Sequence, residues 1–459
     1  MDFHKFFLHG TYVLLDVNSG AVHAVDKLVY DIMDVFRGDN EPEVLAQLQT
    51  VYTQEELTEA MAELRGLVAQ EQLFSPAPEV PPAMFQQEPI VKALCLHVAH
   101  DCNLRCHYCF AGTGDFGHDR GLMTPEVGEK AVDFILAHSG SRQHCEIDFF
   151  GGEPLLNMDT VRHVVNYIRQ KEALTGKIFK LTLTTNAVLL NAETIQYLND
   201  NAISLVLSLD GRREVHDRMR PNAGGQGSWD AAVNNIRAVA VSRKDPNYDP
   251  RGTYFYVRGT YTAYNLDFAE DVLAMADLGF DQLSVEPVVG KDCDYELQEN
   301  HLPGLFQQYE ELAKAYLERK AAGQGFDFFH FNIDLNHGPC LPKRLSGCGA
   351  GHEYFAVTPE GDLYPCHQFV GRDGYRLGSV DTGIENSVIP AEFRNTHVLA
   401  KPTCRECWAR FFCSGGCHAN AQLFHGSITE PYQIGCELQK KRLECALLVQ
   451  VELSKRSAQ

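Results

Sequence analysis

The first seventy-five residues switch between two hydrophobic periods. YVLLDVNSGAVHAVD alternates apolar and polar positions about Asn18-Ser19-Gly20, which predicts a β-hairpin. Leu28 to Val35 and Glu41 to Tyr52 follow with helical spacing. A third helix starts after Thr53, where Glu56 completes a capping box and Leu57, Met61, Leu64 and Leu67 form an apolar face. A strand pair with three helices describes a winged-helix-like unit over residues 1–75. The next segment, 76–89, reads PAPEVPPAMFQQEP; its prolines predict an extended linker.

From 90 to 330 the pattern is strand then helix, six times over. The strands are VKALCLHV (91–98), CEIDFF (145–150), FKLTLTT (179–185), ISLVLSL (203–209), YFYVRGTY (254–261) and QLSVEPV (282–288). Helical segments such as Pro125–His138, Met158–Leu174 and Leu266–Leu278 lie between them. Nearly continuous apolar strands alternating with helices predict an α/β fold with a parallel sheet, here a partial (β/α)6 TIM-like barrel. Chemistry on such barrels sits at the C-terminal ends of the strands. From 335 to 445 periodicity fades while Gly, Cys and Pro become frequent, which predicts an irregular segment held by metal. Residues 446–459 read as a C-terminal tail.

Charge narrows the partners. The chain of 459 residues carries a net charge of -21, and residues 1–80 hold 14 acidic and 4 basic side chains. Nucleic-acid binding needs cations to neutralise phosphates, so a DNA-binding role for the winged-helix-like unit is excluded. No run of roughly 18 apolar residues suggests a membrane span. Asp2 stands where a secretory signal would carry positive charge. The expectation is a cytoplasmic protein.

In that compartment 15 cysteines point to metal or redox chemistry rather than disulfides. Strand one runs directly into AHDCNLRCHYCF, with Cys102, Cys106 and Cys109 on one loop. Three thiolates can hold three irons of a 4Fe-4S cubane and leave the fourth iron open to a substrate or cofactor. A second set follows: Cys348, Gly361 and Cys366, then Cys404-x2-Cys407-x5-Cys413-x3-Cys417, then Cys436. On spacing alone a zinc site competes for either set.

The first loop, together with Gly151-Gly152-Glu153-Pro154 at the end of strand two, resembles the radical S-adenosylmethionine (SAM) enzymes. That resemblance implies that the open iron is chelated by SAM and that Tyr108 lies near the adenine. Glu153 would accept the methionine amine, with Pro154 closing the motif. Reductive cleavage of SAM would give a 5'-deoxyadenosyl radical that abstracts hydrogen from the substrate. Asn186 after strand three, Ser208 after strand four and Arg220 in HDRMRP are expected SAM contacts; Thr184, Thr185, Asp210, Arg258 and Glu286-Pro287 are softer candidates.

The second set is similar to the SPASM domain, which implies two auxiliary 4Fe-4S clusters. By that resemblance Cys348, Cys366 and Cys417 hold cluster I, while Cys404, Cys407, Cys413 and Cys436 hold cluster II. The fourth ligand of cluster I is either Cys340 or a substrate thiolate at an open site. The N-terminal unit resembles the peptide-recognition domain of ribosomal-peptide maturation enzymes. Order, length and cysteine pattern together resemble the maturases of six-cysteine (SCIFF) precursor peptides, which form intrapeptide thioethers in sactipeptide-like (RiPP) products. The implied partners are a cysteine-rich precursor peptide with its leader and an electron donor, either a reductase or a flavodoxin or ferredoxin. The alternatives are an anaerobic sulfatase-type formylglycine-generating maturase, a peptide epimerase, and a non-enzymatic metal-binding interaction protein.

Overall fold

The computed structural model describes residues 2–81, 90–244, 254–335 and 341–457. Thr53 caps its helix as the sequence predicts: the Glu56 amide donates to Thr53 Oγ1, and the Thr53 amide donates to Glu56 Oε2. The N-terminal unit has a third strand beyond the expected pair. The meander runs β1 (Phe3–Leu8), β2 (Thr11–Asp16) and β3 (Val22–Val25), antiparallel in that order. Three helices back it, α1 (Lys27–Ile32), α2 (Glu41–Leu48) and α3 (Gln54–Ala69). Leu14, Ile32, Phe36, Leu57 and Met61 are wholly buried in a small core of their own. Residues 82–89 of the expected linker, and Cys340, lie outside the described residues.

The six expected barrel strands are β4 (Ala93–Ala99), β5 (His144–Gly151), β6 (Ile178–Thr185), β7 (Ile203–Ser208), β8 (Phe255–Tyr261) and β9 (Gln282–Pro287). They pair in parallel in chain order. The helices between and after them are α4 (Pro125–His138), α5 (Met158–Thr175), α6 (Ala192–Asp200), α7 (Arg213–Met219), α8 (Trp229–Arg243), α9 (Phe268–Asp277) and α10 (Leu302–Ala321). A short strand, β10 (Asp327–Phe328), extends the sheet beyond β9.

The cysteine-rich segment is less irregular than its sequence suggests. β11 (Tyr354–Val357) pairs in parallel with β4. β12 (Asp362–Tyr364), β13 (Gly378–Ser379) and β14 (Gly383–Ile384) continue antiparallel, so barrel and C-terminal segment share one 11-stranded sheet. Central β4 is consequently buried along its whole length. Gly361, the motif glycine, turns the β11–β12 hairpin at φ 94°, a conformation other residues rarely adopt. Short helices α11 (Leu341–Ser346), α12 (Val388–Asn395), α13 (Pro402–Arg405), α14 (Arg410–Cys413) and α15 (His418–His425) fill out the segment, with Cys404 in α13, Cys413 ending α14 and Cys417 at the N-cap of α15.

The C-terminal tail expected at 446–459 is instead the second half of a helix, α16 (Gln433–Ser457). Cys445 to Val449 are fully buried there. Burying that run, at about 1.5–3 kcal/mol for each large apolar side chain, is what fixes the helix. α16 also receives the N-terminal sheet. His4 donates to or accepts from Glu444 at 3.0 Å, Thr11 donates to Glu452 at 2.7 Å, and the His4 ring stacks on Trp408 at 3.8 Å. Among the described residues no helix is long and apolar enough to cross a membrane.

Candidate active site and cysteine groups

The loop after β4 is held by backbone on two sides. The Gly152 amide donates to Ala99 O, and the Glu153 amide to Asp101 O, both at 2.8 Å. On the other side the amides of Arg105 and His107 donate to Pro221 O and Met219 O. The glycines permit this close approach. A Cβ on Gly151 would fall 2.2 Å from Ala99 O, and one on Gly152 would fall 2.2 Å from Asp101 O. Since both obstacles are backbone, Gly152→Ala is expected to cost about 1–3 kcal/mol through overpacking. A lower melting temperature and reduced iron in the purified protein will register it.

Cys102, Cys106 and Cys109 line a cavity of about 1350 Å³ inside the partial barrel, with Tyr108, Gly151, Gly152, Asn186, Ser208 and Arg220. The three thiols feel one another's charge, and burial pushes Cys102 up to about 12 and Cys106 up to about 11. Such thiols are neutral on their own; bound metal would ionise them. Asn186 Nδ2 donates to Asn103 Oδ1 at 2.8 Å and approaches Cys102 Sγ at 3.7 Å.

Glu153 is 1% exposed. Its carboxylate accepts from Thr185 Oγ1 at 2.7 Å, the Asn186 amide at 2.9 Å and the Leu155 amide at 3.1 Å. Burial still pushes it up to about 7. Three donors leave one lone-pair site on an ionised carboxylate, and no cation of the chain fills it among the described residues. A ligand ammonium fits that chemistry. Pro154 opens the turn Pro154–Asn157 behind the motif.

Arg220 is neither a surface residue nor free. Its Nε donates to Asp210 Oδ2 at 3.0 Å, and Tyr108 donates its hydroxyl to the same oxygen at 2.5 Å. The guanidinium lies 5.3 Å from the Tyr108 ring centroid. Asp210 Oδ1 accepts from the Thr260 amide, so the cluster joins the loop to β8. Arg220 therefore positions Tyr108, and its charge reaches Cys106. Two further groups, Asp148 and Arg442, escaped the sequence reading. Asp148 lies in the cavity with its carboxyl raised to about 7 by burial. Glu286 Oε2 accepts from Arg442 of α16 at 2.9 Å, a partner 156 residues away. An acid inside an apolar strand was the available signal for Asp148; nothing local announces Arg442.

The second set divides into two groups. The Cys366 thiol feels Cys417 and Cys348, and Cys417 feels Cys348. Cys436 feels Cys413, Cys404 and Cys407, and Cys404 feels Cys413 and Cys407. The connection is Cys413-Ser414-Gly415-Gly416-Cys417, whose three middle residues have φ of 60°, 89° and 74°. This left-handed run turns the chain so that neighbouring cysteines face different groups. Cys348 is exposed and lines the same cavity as the Cys102 loop. Among the described residues, no three His, Cys, Asp or Glu side chains converge as on a single ion. A cubane spreads its thiolates more widely, so the fit rests on which thiols share a space.

Two domains are matched by sequence comparison. The Radical SAM superfamily pattern matches residues 96–245, and the SPASM iron-sulfur cluster-binding domain matches 348–408. A cysteine-type anaerobic sulfatase-maturating enzyme of Clostridium novyi (strain NT) is 24% identical over 345 residues, covering 70% of this chain and 86% of that protein. The structure of native anSMEcpe with bound AdoMet superposes with a TM-score of 0.64 at 21% identity, covering 79% of this chain and 99% of that one. Streptococcus suis SuiB bound to precursor peptide SuiA gives 0.50 at 15% identity, but covers 95% of this chain and 98% of that one. Matched domains of these kinds imply SAM and 4Fe-4S clusters. With its cysteine loop, barrel and C-terminal cysteine groups in place, the chain is a radical SAM enzyme that carries a SPASM domain.

Proposed function

We propose that this enzyme is a peptide maturase that joins a cysteine sulfur to a carbon of another residue as an intrapeptide thioether. The observation that carries the reading is the shared cavity: the thiols of Cys102, Cys106 and Cys109 and the exposed Cys348 thiol line one space. Cys102, Cys106 and Cys109 are the ligands of the catalytic cluster. Cys348, Cys366 and Cys417 are those of one auxiliary cluster, with one site left for a substrate thiolate, and Cys404, Cys407, Cys413 and Cys436 are those of the other. When bound, SAM and its cluster supply a hydrogen-abstracting radical, and the auxiliary clusters supply a site for sulfur and a sink for one electron.

The chain's own residues aim this chemistry. Glu153 takes the ammonium of SAM, while Asn186 and Ser208 border its binding site. Arg220 and Asp210 hold Tyr108, which would stand beside the adenine. The barrel wall keeps water from the reacting atoms. The N-terminal meander binds the leader of a precursor peptide as an added strand, since β1 and β3 each have an unpaired edge. The likeness over nearly the whole chain to SuiB, which was solved bound to a precursor peptide, supports this. A one-electron donor such as a flavodoxin, ferredoxin or reductase completes the system.

The likeness to a sulfatase-maturating enzyme favours a second reading, oxidation of a cysteine to an aldehyde. Anaerobic co-expression with a six-cysteine precursor peptide separates the two. The expected product has lost two hydrogens per linkage, with the linked thiols blocked to alkylation. A mass shift for conversion of cysteine to formylglycine would replace the thioether reading with the second.

A further inference from the structure

Lys401 is 2% exposed. Its Nζ donates to Gly415 O at 2.8 Å. Gly415 is the centre of the left-handed run between Cys413 and Cys417, so the ammonium stands on the bridge between the two cysteine groups. The thiols of Cys404, Cys413, Cys417 and Cys436, drawn from both groups, act on it most strongly among titratable groups, His418 lies within reach of its charge, and among the described residues no carboxylate forms an ion pair with it. A buried ammonium without a counter-charge is costly. Thiolates on iron would supply that charge. Each thiolate-ligated cubane is anionic, and reduction adds one more negative charge, so a fixed cation nearby favours the reduced form.

We propose that Lys401 is the shared counter-cation of both auxiliary clusters, a positioning residue that holds them toward their reduced states. This rests on the two auxiliary ligand sets proposed above. Its consequence is functional: the clusters would accept an electron from the substrate side more readily than their solvent exposure alone dictates. The side chain touches neither substrate nor SAM, so it acts only through the clusters.

The test is an anaerobic redox titration followed by electron paramagnetic resonance, on full-length protein in which Cys102, Cys106 and Cys109 are replaced by alanine. Only auxiliary clusters can then contribute. Lys401→Met removes the charge and Lys401→Arg keeps it. The Met variant is expected to lower the reduced-to-oxidised ratio at fixed potential by at least about tenfold, about 59 mV for one electron. The Arg variant is expected to restore it. A Met variant that loses iron while the Arg variant retains it also supports the proposal, because the charge is then needed to hold the thiolates. Full iron with unchanged potentials in the Met variant overturns it, as does equal loss of iron in both variants. If the parent protein with only the loop cysteines replaced holds no iron, the auxiliary ligand sets fail first, and the proposal with them.

Discussion

Replacing Cys102 with alanine will abolish cleavage of SAM and leave the peptide unmodified. The loss should exceed the roughly 10–100-fold that removal of an outer-shell metal partner costs, because a ligand itself is gone. Cys102 has no substitute nearby. Its amide donates to Asp101 Oδ1 at 2.8 Å, and Gly114 packs against its Cβ so closely that any added side-chain atom would lie 2.7 Å away. The thiol cannot be replaced by a shift of the loop, since backbone bonds with Gly152, Glu153, Met219 and Pro221 fix its course. Iron analysis should fall from roughly 12 to roughly 8 atoms per chain if each of three clusters is a cubane. Deoxyadenosine release after reduction, read by chromatography, checks the catalytic half. Undiminished release from the variant would remove the loop from the mechanism.

Replacing Cys348 with alanine should have an equally large effect on a different quantity. Deoxyadenosine release will persist, while thioether product falls to background. In the proposed ligation Cys348 joins Cys366 and Cys417, and since it also lines the central cavity it would mark where that auxiliary site meets the substrate. The remaining pair, one of them buried in the segment after β12, cannot hold a cubane alone. A variant that loses SAM cleavage and product together would show that the auxiliary group supports the barrel rather than the sulfur transfer.

The parts of this architecture that sequence reveals are those with a repeating environment. β4 and β7 are buried nearly throughout and β5, β6 and β8 bury every second residue, so their apolar positions announce them. Phe3–Leu8 carries His4 and Lys5 among its aromatics, and the strand is recognisable only because those two side chains find partners in Glu444, Trp408 and Tyr30. β12 to β14 are two or three residues long, too short for any periodicity. α16 was obscured for the opposite reason: it packs against α10, the N-terminal sheet and the barrel, so its apolar residues occur on several sides. The cysteines are legible because metal ligation constrains spacing. What their neighbours do is not: Glu153 braces β6 and Arg220 pairs with Asp210, through contacts 32 and 10 residues apart that no local pattern encodes.

The parallel pairing of β11 with β4 has a mechanical consequence. β4 delivers Cys102 from its end, and β11 stands just after Cys348, register-locked from Tyr354↔Ala93 to Val357↔Leu96. The two sulfur-bearing segments thus hang from adjacent rails of a single plate. Their separation is set when the polypeptide folds and does not wait for a bound peptide to draw them together. Amide hydrogen exchange in β4 and β11 should consequently slow and quicken in step, as one cooperative block.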